Sequence, residues 1–101
     1  MGVKIETTES SVKAYLDGEL DHHSAGGIRD EIDLAVGRTT PETLILDFGE
    51  VTFMDSSGLG LVMGRYKVMK DIGGRVRLEN TPVHIKKVMR VAGMDRFAEI
   101  S

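Results

Sequence analysis

The ten residues Val51-Thr52-Phe53-Met54-Asp55-Ser56-Ser57-Gly58-Leu59-Gly60 bring an acid, two hydroxyls and two glycines to one junction. A short apolar, β-favouring run stops at Asp55, and an amphipathic helical pattern begins after the serines. Ser, Asp and Asn are favoured helix N-caps because their oxygens accept from the free N–H groups of the first turn. One of these serines therefore belongs at a helix mouth, its hydroxyl near the surface and small glycines around it. Unpaired donors and the positive end of the helix dipole make such a place hospitable to a phosphate. Two chemistries fit: a serine that carries a phosphate, or a loop that grips a phosphorylated ligand.

Other chemistries are less well supplied. Gly58-x-Gly60 at a strand-to-helix turn, with Glu79 at the end of the next strand, imitates a dinucleotide fingerprint. The third glycine is Gly64, which gives G-x-G-x-x-x-G, and 101 residues hold too few strands for that fold. Asp55-Ser56-Ser57-Gly58 lacks the glycine two residues before the serine that a G-x-S-x-G elbow requires. No spacing sets His22, His23 or His84 beside Ser56. His22-His23 reads as a polar first helical turn, since a metal would want a third ligand at a recognisable spacing. No catalytic residue, metal or other cofactor is expected. Asp21 and Asp55 have two readings, as helix caps or as charged markers of a docking surface. Gly58 and Gly60 each cost a helix about 1 kcal/mol against alanine, which favours close approach of another protein or helix. Lys67, Lys70, Arg75 and Arg77 read as solvated charge.

The elements that position this junction follow from periodicity. Residues 3–7 and 12–16 alternate around Thr8-Glu9-Ser10-Ser11, a hairpin with one buried face. Asp17-Gly18 has turn chemistry, and Glu19 to His23 reads as a strand end running into a helix cap. Ile28, Ile32, Ala35 and Val36 form a core-facing helical stripe, with Gly37 as its stop and Pro41 as confirmation. Leu44-Ile45-Leu46 reads as an interior strand covered on both faces. Leu59, Val62, Met63, Tyr66 and Met69 define a second helix face, closed by Gly73-Gly74; Leu61 and Val68 lie off it. Arg75 to Leu78 is a short strand, and Thr81-Pro82 supplies a cap and first-turn proline. Ile85, Val88, Met89 and Ala92 mark a third helix, ending at Gly93. The order is ββαβαβα with a tail that can add a strand: an α/β fold with a mixed sheet of four to five strands and helices mainly on one side.

Bulk properties narrow the function. One domain spans 1–101, with room for a single core. A net charge of -3 and a pI near 5.5 argue against a nucleic-acid binder. Without cysteine there is neither a disulfide framework nor a thiolate metal site. No apolar run approaches the ~18 residues of a membrane span, and the N-terminus lacks a signal-peptide layout, so the expected home is the cytoplasm.

Three blocks together carry a resemblance: Gly18-Glu19-Leu20-Asp21-His22-His23, Phe53 to Gly60, and Gly64-Arg65-Tyr66-Lys67. In order and spacing the chain resembles the STAS domain, and the anti-sigma factor antagonists within it, on the sporulation side. The resemblance implies a regulatory switch that exchanges partners. The position matching the family's phosphorylated serine is Ser56. An anti-sigma factor that is itself a serine kinase would be the partner, and a PP2C-type phosphatase would reset the switch. Glu19, Asp21, Asp55, Ser56, Ser57, Gly58 and Gly60 would form the partner surface, on a chain monomeric when free. The resemblance also implies that the chain stops at Ser101 without the family's final helix, and Gly26-Gly27 departs from the better helix formers usual there. The alternative within the same fold is a small-ligand or nucleotide-sensing module using the Gly58–Gly60 helix mouth.

Overall fold

A computed structural model describes residues 2–101. The two alternating segments pair as an antiparallel hairpin, β1 (Gly2–Thr7) with β2 (Ser11–Leu20). Its turn is closed by the Thr8 N–H donating to the Ser11 carbonyl at 2.8 Å. A helix, α1 (Ala25–Thr39), then crosses to β3 (Thr43–Met54), which lies parallel to β2. The second crossover, α2 (Ser56–Asp71), leads to β4 (Arg75–Glu79), parallel to β3. Helix α3 (Val83–Val91) and a 3-10 turn at Met94–Arg96 precede β5 (Glu99–Ile100), so the tail does add a strand. The result is a five-stranded mixed sheet in the order β1-β2-β3-β4-β5.

Alternation decides which face is covered. Val12, Ala14, Leu16, Leu44, Leu46, Phe48, Val76 and Leu78 point to one side and are buried. Onto them pack Ile28, Ile32 and Val36 of α1 and Leu61, Val62 and Met69 of α2. The opposite face carries Lys13, Tyr15, Arg77 and Glu79. Ile45 is therefore only half-buried, and Leu44-Ile45-Leu46 is covered on one face, not both. Among the described residues no helix is long and apolar enough to cross a membrane.

Local signals were displaced at four places. Asp17-Gly18 does not turn the chain; both residues continue β2, with Gly18 at φ 93° and register shifts on either side of Asp17-Gly18. Pairing with β3 supplies more hydrogen bonds than a turn would, and the glycine absorbs the irregularity. Gly37 lies inside α1, which runs on until Thr40, left-handed at φ 45°, whose N–H donates to the Val36 carbonyl at 2.8 Å. Pro41 forces this stop, because the residue before a proline is driven out of the helical region. Thr81 does not cap α3: it is buried, its N–H donates to the Ser101 carbonyl at 3.0 Å, and Pro82 takes the cap position. On α3 only Ile85 and Met89 of the expected stripe are buried, while Val88 and Ala92 face outward. Gly93, at φ 77°, ends that helix as expected.

Candidate functional site

Asp55 is the N-cap of α2: its backbone is extended and its Oδ1 accepts from the Ser57 N–H at 2.8 Å. The Gly58 N–H donates to the Asp55 carbonyl at 3.0 Å. Ser56 thus occupies the first helical position and is exposed, and no hydrogen bond among the described residues engages its hydroxyl. Ser57, one residue on, is half-buried.

The second part of the site comes from the end of β2. Parallel pairing sets Glu19 opposite Phe53 and Leu20 opposite Met54, and the Asp55 N–H donates to the Leu20 carbonyl at 3.2 Å. Residues more than thirty apart in sequence are thereby fixed side by side. Just beyond, the chain turns on Asp21, whose Oδ1 accepts from the N–H groups of His23 (2.9 Å) and Ser24 (3.1 Å). The Ser24 hydroxyl donates to the Glu19 carbonyl at 3.0 Å and locks the same turn. Burial works against ionisation of Asp21, but the donors from Ser24 and His23 outweigh it and hold the carboxyl below its ordinary pKa. Asp21 therefore caps the turn that leads into α1 and at the same time holds a negative charge just beyond the end of β2, next in sequence to the Leu20 that bonds Asp55. Ser24, not Asp21, is the residue at the helix boundary, and its side chain makes no cap bond to α1.

The structure brings Glu19, Asp21, Asp55, Ser56 and Ser57 to one end of the sheet. The two glycines differ. Gly58 is buried, and a methyl there would collide with Met54 Cγ while lying 2.9 Å from Met54 Sδ and 3.2 Å from Leu20 Cδ2. Its bareness serves internal packing beneath the serines. Gly60 is exposed and has nothing within 4 Å of where a methyl would sit.

Two residues at this end escaped the pattern reading. Phe53, opposite Glu19, is half exposed although it closes an apolar run. Strand alternation from the buried Val51 would turn Phe53 inward, so no local signal marks it as exposed. Arg65 is only 5% exposed, and its Nε lies 2.9 Å from Asp33 Oδ1 of α1. It occupies the row Leu61, Arg65, Met69 at i, i+4, i+8, an inward row that an apolar count overlooks. Leu61 is likewise core, and the predicted stripe residues Leu59, Met63 and Tyr66 are only partly buried.

Comparison with known proteins was consistent with this geometry. Residues 3–101 match the STAS domain. An anti-sigma F factor antagonist of Paenibacillus polymyxa is 38% identical over 100 residues, covering 97% of this chain and 84% of its own. The solved structure of the anti-sigma factor antagonist SpoIIAA in its unphosphorylated form superposes with a TM-score of 0.85 at 35% identity, over 99% of this chain and 88% of that one. The phosphorylated form of the Bacillus cell fate determinant SpoIIAA gives a TM-score of 0.78 at 35% identity, over 99% and 91%.

Proposed function

The chain belongs to the STAS domain family, among its anti-sigma factor antagonists, and from that premise we propose that it acts as an anti-anti-sigma factor. In this reading the unphosphorylated protein binds an anti-sigma factor serine kinase and so releases a sigma factor. Phosphorylation of Ser56 by that kinase switches the binding off, and a PP2C-type phosphatase restores it. The switch works in the cytoplasm on a monomer, without nucleic-acid contact.

The observation that carries the reading is Ser56 itself, exposed at the first position of α2 directly after the capping Asp55. A kinase can reach its hydroxyl without any change in fold. The helix terminus tolerates the phosphate, since free N–H groups and the dipole favour negative charge there. A docked partner does not. About -1.5 to -2 charges would arrive next to Asp55, in a surface shaped for a hydroxyl. Each 1.4 kcal/mol lost in docking lowers affinity about tenfold. The relative of known structure is itself described in phosphorylated and unphosphorylated forms.

Glu19, Asp21 and Asp55 also favour a protein partner over a nucleotide, because three carboxylates at one end of the sheet repel free phosphates. Calorimetry with GTP and ATP separates these, with submillimolar binding favouring the sensing module. The direct test is mass mapping after incubation with the anti-sigma kinase and ATP. One phosphate on Ser56, lost in Ser56→Ala, is expected. Ser56→Ala should still bind the kinase, and Ser56→Asp should bind it poorly. Neither phosphate nor binding in the wild type would sink the proposal.

A further inference from the structure

Beyond Ser57 a groove of about 340 Å³ runs between α1 and α2. Its floor is unusually bare: Gly26 on one wall, Gly60 and Gly64 on the other. Neither Gly60 nor Gly64 has any atom within 4 Å of a built methyl, and at Gly26 the nearest is the tip of Arg29 at 4.0 Å. None of the three has a positive φ. The fold therefore needs no glycine at these positions, and helix propensity disfavours each of them. Side chains there would do one thing only, which is to fill the groove.

A second, independent observation says what the groove takes. Arg65 lines it, with its side chain 93% buried. Asp33 Oδ1 lies 2.9 Å from its Nε as an ion pair but not in hydrogen-bond geometry, so Nε and Nη1 are both buried with no hydrogen-bond acceptor among the described residues. Arg29, paired at 3.2 Å with the exposed Asp30, adds a second guanidinium at the rim. A buried guanidinium with an unused donor matches a carboxylate, which accepts in the plane of the fork.

We propose that this groove extends the docking surface and seats an acidic side chain of the anti-sigma partner on Arg65. The inference rests on the antagonist reading given above and deepens it. Ser57 ties the two regions together, since its N–H holds Asp55 on one side and the residue lines the groove on the other. The docking surface is thus polarised, with carboxylates around Ser56 and guanidinium groups beyond Ser57. A partner that presents basic residues to the first and a carboxylate to the second fits in one orientation only. The size suits one or two side chains, and the bare floor admits them closely.

Gly64→Glu tests this, because it places a carboxylate of the chain's own beside Arg65 and fills the groove. Removing a helical glycine should leave the melting temperature at or above that of the wild type, by up to about 4 °C. Affinity for the purified anti-sigma kinase, measured by calorimetry, should fall at least tenfold. Gly26→Glu, on the opposite wall and in the first turn of α1 where acid is favoured, gives the same readout should Gly64→Glu not fold. Wild-type affinity in the folded variant would overturn the groove proposal and leave the antagonist reading standing. A wild-type chain that does not bind the kinase would remove both. Titration of the free protein with inorganic phosphate, followed by the amide signals of Gly60 and Gly64, covers the remaining occupant. Saturation below millimolar, lost in Gly64→Glu, would give the groove to a free anion and overturn docking; no saturation supports it.

Discussion

Two glycines of the serine motif, two residues apart on the same helix, should respond to the same methyl with opposite signs. Gly60→Ala adds a methyl with nothing within 4 Å and removes a helix-interior glycine. The gain is about 1 kcal/mol, which for a domain of this size raises the melting temperature about 4–8 °C. Gly58→Ala receives at most the same propensity gain, and less because it lies in the first turn. Against this stands the collision with Met54 Cγ, with Met54 Sδ at 2.9 Å and Leu20 Cδ2 at 3.2 Å. Met54 cannot simply swing away, since the clash is at its second side-chain carbon and its backbone is paired with Leu20 across β3 and β2. Overpacking of this kind costs about 1–3 kcal/mol. The expected net is a loss of about 1–2 kcal/mol and a fall of roughly 5–15 °C.

Thermal melts followed by circular dichroism, with urea midpoints at constant slope, would measure both. Opposite shifts are required. If Gly58→Ala melts at or above the wild type, the packing of Met54 and Leu20 under the motif is looser than described and the reasoning fails. If Gly60→Ala destabilises, a contact at that position has been missed. Gly58→Ala should also weaken kinase binding, because the displaced Met54 precedes Asp55, whose N–H is bonded to Leu20.

Asp55→Ala should cost about 1 kcal/mol through loss of the 2.8 Å bond to the Ser57 N–H, and Asp55→Ser should recover most of it in urea unfolding. Asp21→Asn should separate from the wild type in a pH-dependent way. The folded carboxyl titrates below its ordinary value, so its stabilisation is complete above the unfolded pKa of about 3.9 and drains as pH falls through the folded one. Urea midpoints of the two proteins should differ at pH 6 and converge only as pH falls below the lowered folded pKa; a difference that grows in acid would refute the assignment. Asp33→Ala should destabilise by about 1–2 kcal/mol by leaving the Arg65 guanidinium buried and unpaired. The value lies below that of a fully buried pair because Asp33 is about one-third exposed.

What could be read from the sequence was what depends on neighbours a few residues away. Asp55 as a cap, Ser56 at a helix mouth and Gly93 as a stop are local chemistry, and the structure holds them where capping and turn rules put them. Asp17-Gly18 shows the limit. Its turn chemistry is local, but the choice between turning and continuing was made by β3, which lies about thirty residues downstream and pairs with both residues. Arg65 shows a second limit. Counting apolar residues selected Leu59, Val62, Met63, Tyr66 and Met69 as the inward face; Val62 and Met69 are buried, but the deepest row also contains a charge. That charge is tolerated only because α1 delivers Asp33 at 2.9 Å, a contact set by helix packing and invisible to periodicity. Phe53 is the converse, an apolar residue near the end of an apolar run that stands half exposed.

The same long-range pairing explains how a switch can be built without a moving part. Parallel register between β2 and β3 holds the Asp21 turn against the mouth of α2, and the bond from the Asp55 N–H to the Leu20 carbonyl ties them. Beneath, Gly58 lets Met54 and Leu20 close the core directly under the serines. Ser56 itself takes part in none of this: it is exposed and its hydroxyl is unengaged among the described residues. A charge added there acts on whatever touches the surface while the packed layer below stays as it was. Rigidity under the site and freedom at the hydroxyl are therefore one arrangement, and in the proposed switch it would let a single phosphate change affinity without changing the fold.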